Sequence, residues 1–524
     1  MAESAAIDWD KAFAGRAEGM RASEIRELLK VLDQPDIISF AGGIPDPALF
    51  PSDVLRSAFA TILSDPDLGP KSLQYSVSEG YQPLRRWIAE RMTSTGAPCE
   101  VENVIITAGS QQGLDFIGKL FLSPRDTALV TAPTYLGALQ AFNAYEPRYD
   151  VLRLEDGKRT PDAYREAAAA AGGRVALSYV VTEFANPTGE SLSLAARQRL
   201  LDLAAEIDIP VVEDAAYEAL RFEGEALPSC LGLDIARTGS IERSRVIYCG
   251  TFSKTIAPGL RVGFVCAARN LVQKLVLAKQ AADLHSATLN QIVMHQVVEA
   301  IYDRQIPKLV AAYGKRRDAM LAALARHMPE GVSWTRPQGG MFIFLTLPVG
   351  FDGAELLAQS LKQVRIAFVP GSAFFADGSG ANSIRLNYSL QSVPALQLAM
   401  RVAGSAYLIW LAWRIGRSGA PNIAADNAAT PSSFVAGLLL PWLNPKAWSM
   451  ALAAAAAHAG LTLSPPQLAL LLATTFGLAA FPALSLWCAG GSMLARTLRS
   501  ETQWRAVNAG LGLLLAASIA PMWL

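Results

Sequence analysis

The sequence predicts an α/β protein with a mostly parallel sheet covered by helices on both faces, followed by a helical C-terminal segment. Up to about residue 395, short β-branched runs alternate with longer amphipathic stretches, a pattern typical of such a sheet. The runs end in polar or glycine-containing residues. The tail differs, because no Asp, Glu, Lys or Arg occurs between Ala447 and Ala495. A chain of 524 residues is too long for one ordinary core, so we expect at least two domains.

Eight runs are candidate strands, at residues 104–107, 128–131, 177–181, 209–213, 246–248, 262–265, 341–345 and 384–388. The first six predict a large domain, and the last two follow a helix-like stretch and predict a smaller one. We expect four parts: an N-terminal segment joining the small domain (1–60), a large domain (61–300), a small domain (301–397) and a hydrophobic helical segment (398–524).

Composition excludes several classes of function. Lys and Arg total 46, as do Asp and Glu, so nothing in the charge balance favours nucleic acid as a partner. The five cysteines are scattered without metal-ligand spacing, which predicts no metal site and a reduced, cytosolic compartment. The N-terminus lacks the basic start and apolar stretch of a secretory signal, so we expect the N-terminus to stay in the cytosol.

The strongest local signal is the segment 251–261, which follows a candidate strand and carries Ser253, Lys254 and Arg261. An amine at a strand end can form a Schiff base with an aldehyde cofactor, and a nearby arginine can bind a phosphate bidentately. Taken alone, the segment is also compatible with a surface loop that carries two solvated cations. The convergence of other candidates on strand ends favours the site, because open α/β sheets bind ligands there.

Four further groups follow candidate strands. Ser110 and Gln111 come after Gly109 and open a helical stretch, where a phosphate can bind at the helix N-terminus; alone, this is an ordinary N-cap. Tyr135 could lie on a flat heterocycle, although a core aromatic is the common alternative.

Asn186 lies on an Asn-Pro-Thr-Gly turn and offers an amide donor, but an isolated turn signal says little. Asp214, three residues before Tyr217, is a carboxylate for which burial is costly without a cationic partner. A pyridinium N–H is such a partner.

As a set, these residues resemble the class I aminotransferases of fold type I, over about residues 15–395. The resemblance rests on Tyr75, Gly109-Ser110-Gln111, Tyr135, Asn186-Pro187-Thr188-Gly189, Asp214, Tyr217, Ser253-Lys254, Arg261 and Arg385. The runs 25–30, 38–45, 283–285 and 368–371 narrow it to the 2-aminoadipate aminotransferase subgroup. It implies a pyridoxal 5′-phosphate enzyme with a seven-stranded, mostly parallel sheet in its large domain.

The resemblance also implies a role for each residue. Lys254 is expected to bind the cofactor covalently and to carry the proton at the substrate's Cα. Asp214 would keep the ring nitrogen protonated, Asn186 and Tyr217 would bind the phenolic oxygen, and Tyr135 would stack on the ring. The phosphate would be held by Ser110, Gln111, Ser253 and Arg261, together with Tyr75 of the neighbouring subunit in an obligate homodimer.

For the substrate, the resemblance implies that Arg385 binds the α-carboxylate beside Asn186 and Gly43, and that Arg26 reaches the distal group. An acidic substrate follows, with glutamate and 2-oxoglutarate as the common amino-group couple. The alternative is that Arg26 pairs with Glu24 or Glu27 on a solvated helix face, a pair worth only about 0.3–0.5 kcal/mol.

The tail, through segments 403–414 and 443–447, resembles the second half of the LysE/RhtB amino-acid exporters, which implies a fusion. The windows 434–457, 466–490 and 506–524 approach the ~20 residues needed to cross a bilayer. Three spans across the inner membrane would leave five arginines on its cytoplasmic side, in agreement with the positive-inside rule: Arg414, Arg417, Arg496, Arg499 and Arg505. A soluble helical core is the alternative.

Two rival functions remain. One is a transcription regulator built on the same fold, but such regulators carry a helix-turn-helix domain ahead of the matching region, and only about 15 residues precede it here. The other is a transporter fusion whose soluble part only binds amino acids. The presence of both Lys254 and Asp214 argues for an enzyme. We therefore expect a transaminase.

Overall fold

The computed structural model describes residues 7–18, 37–154, 159–417, 500–517 and 519–520. Contacts divide the chain into two compact units, Met1–Gly404 and Ser405–Leu524. Two of the three expected membrane spans, 434–457 and 466–490, lie outside the described residues. Arg26 lies outside them as well.

A seven-stranded sheet forms the centre of the first unit. Its strands are β2 (Val104–Thr107), β3 (Thr127–Val130), β4 (Arg148–Val151), β5 (Val175–Val181), β6 (Val211–Asp214), β7 (Val246–Thr251) and β8 (Gly263–Cys266). Their order across the sheet is β2-β8-β7-β6-β5-β3-β4. Only β8 runs antiparallel to its neighbours, whereas the other adjacent pairs are parallel. The expected mostly parallel sheet is confirmed, as a mixed sheet.

Both faces of this sheet are buried, and alternate residues of each strand enter different cores. Ile105 and Ile247 belong to one hydrophobic cluster, while Val104, Ile106 and Val246 belong to the other. This burial explains why the strands are near-continuous apolar runs that the sequence reveals. Edge strand β4 escaped prediction because its sequence, Arg-Tyr-Asp-Val, is polar and partly exposed.

Helices cover the sheet and continue along the chain. The described helices are α1 (Trp9–Ala12), α2 (Gly15–Glu18), α3 (Ser52–Ser64), α4 (Leu68–Ser72), α5 (Gln82–Ser94), α6 (Ser110–Phe121), α7 (Leu136–Asn143), α8 (Pro161–Ala170), α9 (Leu194–Ile207), α10 (Cys230–Thr238), α11 (Arg269–Ala282), α12 (Thr288–His327), α13 (Gly353–Gln363), α14 (Val393–Arg417) and α15 (Glu501–Ala517). Helix α12 is one helix of 40 residues, and it contains the helix-like stretch that the sequence predicts ahead of the last two candidate strands.

Two smaller sheets complete the first unit, and all of their strands except β1 lie between α12 and α14 along the chain. Their strands are β1 (Ile38–Ser39), β9 (Ser333–Trp334), β10 (Phe342–Thr346), β11 (Ile366–Ala367), β12 (Val369–Pro370) and β13 (Ser383–Asn387). The order β12-β13-β10-β9 makes a four-stranded sheet, and β1 pairs with β11 in parallel. All five residues of β13 are buried, which fixes Arg385 at its centre.

In the second unit, described parts of α14 and α15 pack closely through small residues. A Cβ added to Gly512 would lie 2.5 Å from the Ala412 carbonyl oxygen, so only glycine allows this approach. Within the described ranges, no helix is both long and apolar enough to cross a bilayer. The third expected span, 506–524, falls mainly on α15, which has 17 residues.

Candidate active site

The candidate site lies at the carboxyl ends of β5, β6 and β7, beside the N-terminus of α6. One pocket there is lined by Ser110, Gln111, Tyr135, Val181, Asp214, Ala216, Tyr217, Thr251, Ser253, Lys254, Pro258 and Arg261. Eight of these residues are candidates from the sequence. The topology brings them together because parallel strands end at the same edge of the sheet.

Lys254 follows β7 and its amine projects into the pocket. Its Nζ donates to the Gly43 carbonyl oxygen at 2.7 Å and lies 5.9 Å from the centroid of the Tyr217 ring. Burial and the charges of Arg385 and Arg261 lower the pKa of Lys254 to about 8. A substantial fraction of the amine is therefore neutral near physiological pH, which a nucleophile or base requires.

Asp214 is the last residue of β6 and is buried. The Tyr179 hydroxyl donates to its Oδ2 at 2.8 Å, but its buried Oδ1 has no hydrogen-bond partner in the described part of the chain. Burial raises the pKa of Asp214 to about 6, against the hydrogen bond from Tyr179 and the charge of Lys254. The free Oδ1 is an acceptor for a cationic N–H.

Arg385, Asn186 and Tyr217 form one connected set beside Lys254. Arg385 is 1% exposed; its Nη1 donates to Asn186 Oδ1 at 2.7 Å, and its Nη2 donates to the Ala41 carbonyl oxygen. The Asn186 amide in turn donates to the Tyr217 hydroxyl. The buried Nε of Arg385 has no partner among the described residues. This N–H is available to an anionic ligand.

The opposite end of the pocket is built to receive an anion. Gly109 is the N-cap of α6, with a φ of 82° and no side-chain capping bond. The first backbone N–H groups of a helix lack acceptors in the preceding turn, so they can bind an anion there. The Arg261 guanidinium donates to the Ala108 and Pro258 carbonyl oxygens. A Cβ at Gly109 would lie 2.4 Å from the guanidinium of Arg261. Glycine is therefore required for this close approach.

Tyr135 caps α7, and its ring lies over Gly137. A Cβ at Gly137 would lie 2.4 Å from the Tyr135 ring, so this ring position depends on the glycine. The Gln111 side chain donates to the Gly137 carbonyl oxygen at 2.6 Å. Its side-chain amide thus supports the turn below Tyr135, while its backbone N–H remains in the first turn of α6. Ser253 bonds to the Thr251 hydroxyl at 2.9 Å.

Two candidates lie apart from the pocket or contribute differently. Tyr75 is 79% exposed, and its ring meets His285 at 5.9 Å without lining the pocket of its own chain. Gly43 contributes its carbonyl oxygen to Lys254. Its Cβ position is 3.2 Å from the Phe342 ring, so any side chain there would be crowded.

Tyr179 is a site residue that sequence reasoning missed. It lies within the apolar strand β5 and is fully buried, so it read as a core residue. Alternation along β5 offers a usable signal, because Tyr179 faces the same side of the strand as Val181, which lines the pocket.

These groups fit a phosphorylated pyridine aldehyde. The pocket offers a primary amine with a lowered pKa, a buried carboxylate oxygen without a partner, an aromatic ring, and an anion-binding helix end with an arginine. Each group matches one part of pyridoxal 5′-phosphate: the aldehyde, the ring nitrogen, the ring face and the phosphate.

Comparison with known proteins identifies the family. Residues 35–400 match the family model described as aminotransferase class I and II, and residues 386–518 match that of the LysE type translocator. Aromatic-amino-acid aminotransferase 1 of Thermococcus litoralis is 41% identical over 392 residues, covering 74% of this chain and 92% of the relative. The 2-aminoadipate transaminase of Thermus thermophilus is 41% identical over 400 residues, covering 76% and 97%.

A solved structure gives the same result. The α-aminoadipate aminotransferase of Thermus thermophilus, complexed with N-(5′-phosphopyridoxyl)-L-leucine, has a TM-score of 0.70 at 40% identity and covers 78% of this chain and 100% of its own. Both expected resemblances, to the aminotransferases and to the LysE exporters, are confirmed. The chain belongs to the class I and II aminotransferase family, and it is a pyridoxal-phosphate-dependent transaminase of fold type I.

Proposed function

We propose that this transaminase takes an acidic amino acid, of the 2-aminoadipate or glutamate type, as donor and a 2-oxo acid as acceptor. The reaction follows a ping-pong course, in which the first product leaves before the second substrate binds. The observation that carries the proposal is the buried Arg385, whose Nε has no partner in the described chain and whose charge acts on Lys254. A substrate α-carboxylate at Arg385 places its amino group near Lys254.

Arg26 is proposed to bind the distal carboxylate. Two relatives of equal identity support different side chains, since one is named for aromatic amino acids and the other for 2-aminoadipate. We propose acidic amino acids as donors because an arginine occupies position 26, and a guanidinium binds a carboxylate bidentately.

Substrate specificity tests this proposal. Removal of Arg26 (Arg26→Ala) is expected to lower kcat/KM for 2-aminoadipate and glutamate by about tenfold or more, as loss of a charged hydrogen bond predicts. The kcat/KM for phenylalanine should change by less than about threefold. Arg86→Ala, at an exposed arginine, is the matched control. Equal losses for acidic and aromatic donors, or no loss at all, would contradict the role of Arg26.

The cofactor is proposed to be held by the pocket residues already described. Ser110, Gln111, Ser253 and Arg261 hold the phosphate, and Tyr135 lies on the ring. When bound, pyridoxal phosphate supplies an aldehyde that accepts the amino group and a ring that withdraws electrons from the reacting carbon. The chain's residues do the rest.

Lys254 is proposed to take the proton from the substrate's Cα on Nζ and to carry it to the C4′ atom of the cofactor. Its pKa of about 8 suits this exchange near neutral pH. Asp214 holds the cationic ring N–H at Oδ1. Asn186 and Tyr217 donate to the phenolic oxygen, and Gly43 keeps the amine of Lys254 oriented through its carbonyl oxygen.

Tyr75 is proposed to reach the phosphate in the neighbouring subunit of a homodimer. Its exposed ring supports this role, because it lines no part of its own pocket. Mixing two inactive variants tests it: chains with Tyr75→Ala and chains with Lys254→Ala should regain activity in hybrid dimers, where one site has both residues. If the mixture stays inactive although hybrids form, Tyr75 does not act across the interface.

The C-terminal segment is proposed to attach the enzyme to the inner membrane, with the catalytic part and five arginines on the cytoplasmic side. The charge-free stretch between Ala447 and Ala495 and the LysE match support this attachment. Cell fractionation should place the full chain with membranes and a chain ending at residue 417 in the supernatant. A cysteine at position 498 that is labelled from outside intact cells would contradict the orientation.

A further inference from the structure

Lys279, near the end of α11, is a buried lysine outside the pocket. It is 0% exposed, yet its ammonium has an acceptor for each of its three N–H bonds. Nζ donates to Gln112 Oε1 at 2.9 Å, to Ser286 Oγ at 2.9 Å, and to both carboxylate oxygens of Asp283 at 3.0 Å. Burial lowers the pKa of Lys279, and Asp283 opposes this shift.

Through Gln112, the Lys279 ammonium is linked by hydrogen bonds to the loop that precedes α6. Gln112 Oε1 also accepts from the backbone N–H of Ala108 at 2.8 Å, and its Nε2 donates to Asp283 Oδ2 at 2.7 Å. The Ala108 carbonyl oxygen accepts from Arg261 at 3.2 Å. Gln112, oriented by Lys279 and Asp283, therefore fixes the peptide that leads into Gly109 and Ser110.

The same ammonium also reaches the segment that carries Tyr75. The Ser286 carbonyl oxygen accepts from Gln291 Nε2 at 2.8 Å, and Gln291 Oε1 accepts from the Tyr81 N–H at 2.7 Å. The His285 ring, between Asp283 and Ser286 in sequence, contacts the Tyr75 ring. Contacts therefore connect one buried cation with three segments that carry proposed phosphate ligands, namely Ser110, Arg261 and Tyr75.

We infer that Lys279 is a positioning residue for the phosphate of the cofactor, acting through Gln112 and Asp283 on the loop Ala108–Ser110 and through Ser286 on the Tyr75 segment. The inference rests on the proposed assignment of Ser110 and Arg261 to the phosphate. A buried ion pair contributes little net stability compared with an apolar pair of the same volume. Its contribution here is geometric, because a displacement of about 1 Å in a binding loop weakens the contacts the loop makes.

The test measures binding of two ligands that differ only in the phosphate. The full-length protein, stripped of cofactor, is titrated with pyridoxal 5′-phosphate and with pyridoxal, and absorbance gives each Kd. In Lys279→Met, we expect the Kd for the phosphorylated ligand to rise by about tenfold or more. The Kd for pyridoxal should stay within about twofold. Lys274→Met, at an exposed lysine of the same helix, is the matched control and should leave both values unchanged.

Two further variants make the result decisive. Asp283→Asn removes a charge that is 30% exposed, so it tests the same network in a milder way if Lys279→Met does not fold. Arg261→Leu tests the phosphate assignment alone and should weaken only the binding of the phosphorylated ligand. Equal weakening of both ligands in Lys279→Met and Asp283→Asn would overturn the inference, since it is the mark of a purely structural role. If these variants keep the wild-type ratio while Arg261→Leu changes it, the inference falls and the assignment stands. If Arg261→Leu also keeps the ratio, both fall.

Discussion

Replacing Asp214 by asparagine (Asp214→Asn) is expected to stabilise the cofactor-free protein at alkaline pH and to reduce the stability that the cofactor adds. Without a ring N–H beside it, the Asp214 carboxylate is buried, and its Oδ1 has no hydrogen-bond partner in the described part of the chain. Tyr179 and the backbone of Ala216 partly offset the cost of burying the charge. Asparagine has nearly the same shape and carries no charge, so the variant avoids the cost of a buried anion. The cofactor then loses its carboxylate partner for the ring nitrogen.

The raised pKa of Asp214 determines how much the free energy of unfolding changes with pH. It is raised from 3.8 to about 6, a shift of about 2 units, which corresponds to about 3 kcal/mol. Because the folded-state pKa is the higher one, the folded protein binds this proton more tightly than the unfolded chain does. The resulting stability is fully present below pH 3.8, the unfolded pKa, and is lost as pH rises through about 6. Roughly half of it, about 1.4 kcal/mol, is lost between pH 5 and pH 8.

Urea unfolding of the cofactor-free, full-length protein at pH 5 and pH 8 measures this difference. The stability of Asp214→Asn relative to wild type should increase by about 1.4 kcal/mol between the two pH values. Asp67→Asn, at an exposed aspartate, should show no such change. Saturating pyridoxal phosphate should then stabilise the wild type more than the variant. A relative stability that is the same at pH 5 and pH 8 would refute a raised pKa for Asp214.

Three further predictions concern the same pocket. The rate at which cofactor-free protein captures pyridoxal phosphate covalently should rise with pH through about 8, the pKa of Lys254, and stopped-flow absorbance should show no such rise in Lys254→Ala. Tyr179→Phe removes a hydrogen-bond donor to Asp214 and should raise the pH below which cofactor affinity falls by about 1 unit or more. The same midpoint for both proteins in a series of Kd measurements at different pH values would contradict this prediction. Gly137→Ala forces the Tyr135 ring away and should weaken cofactor affinity by about tenfold, measured by titration, with little change in melting temperature.

The candidate site was largely predictable because its residues directly follow strands that the sequence reveals. Apolar runs mark the buried strands, and the residue after each run lies at the carboxyl edge of a mostly parallel sheet. Ser110, Asp214 and Lys254 could therefore be grouped before any coordinates were known. Most strand boundaries moved by no more than two residues, as at β6, which begins at Val211 and ends at Asp214. Strand β7 is the exception, because it continues three residues past the predicted run, to Thr251.

The residues that escaped prediction are polar groups inside apolar or helical segments. Tyr179 and Lys279 are both buried, and their roles depend on partners 35 and 167 positions away, Asp214 and Gln112. Sequence spacing carries no information about such pairs. The Gln111 side chain is a related case, since a helix N-terminus predicts its backbone N–H but not the bond of its amide to Gly137.

Burial and the charges in the pocket explain the lowered pKa of the Lys254 amine. Arg261 and Arg385 bond to backbone carbonyl oxygens and to Asn186, and in the described part of the chain no carboxylate pairs with either guanidinium. Burial, together with the unpaired charges of these two arginines, lowers the pKa of Lys254, and the Asp214 carboxylate opposes this shift. The same two arginines are the proposed partners of a phosphate and a substrate carboxylate. Anions bound there would screen the arginines and raise the pKa of Lys254, so the amine is most easily deprotonated before the ligands arrive and is a stronger base once they are in place.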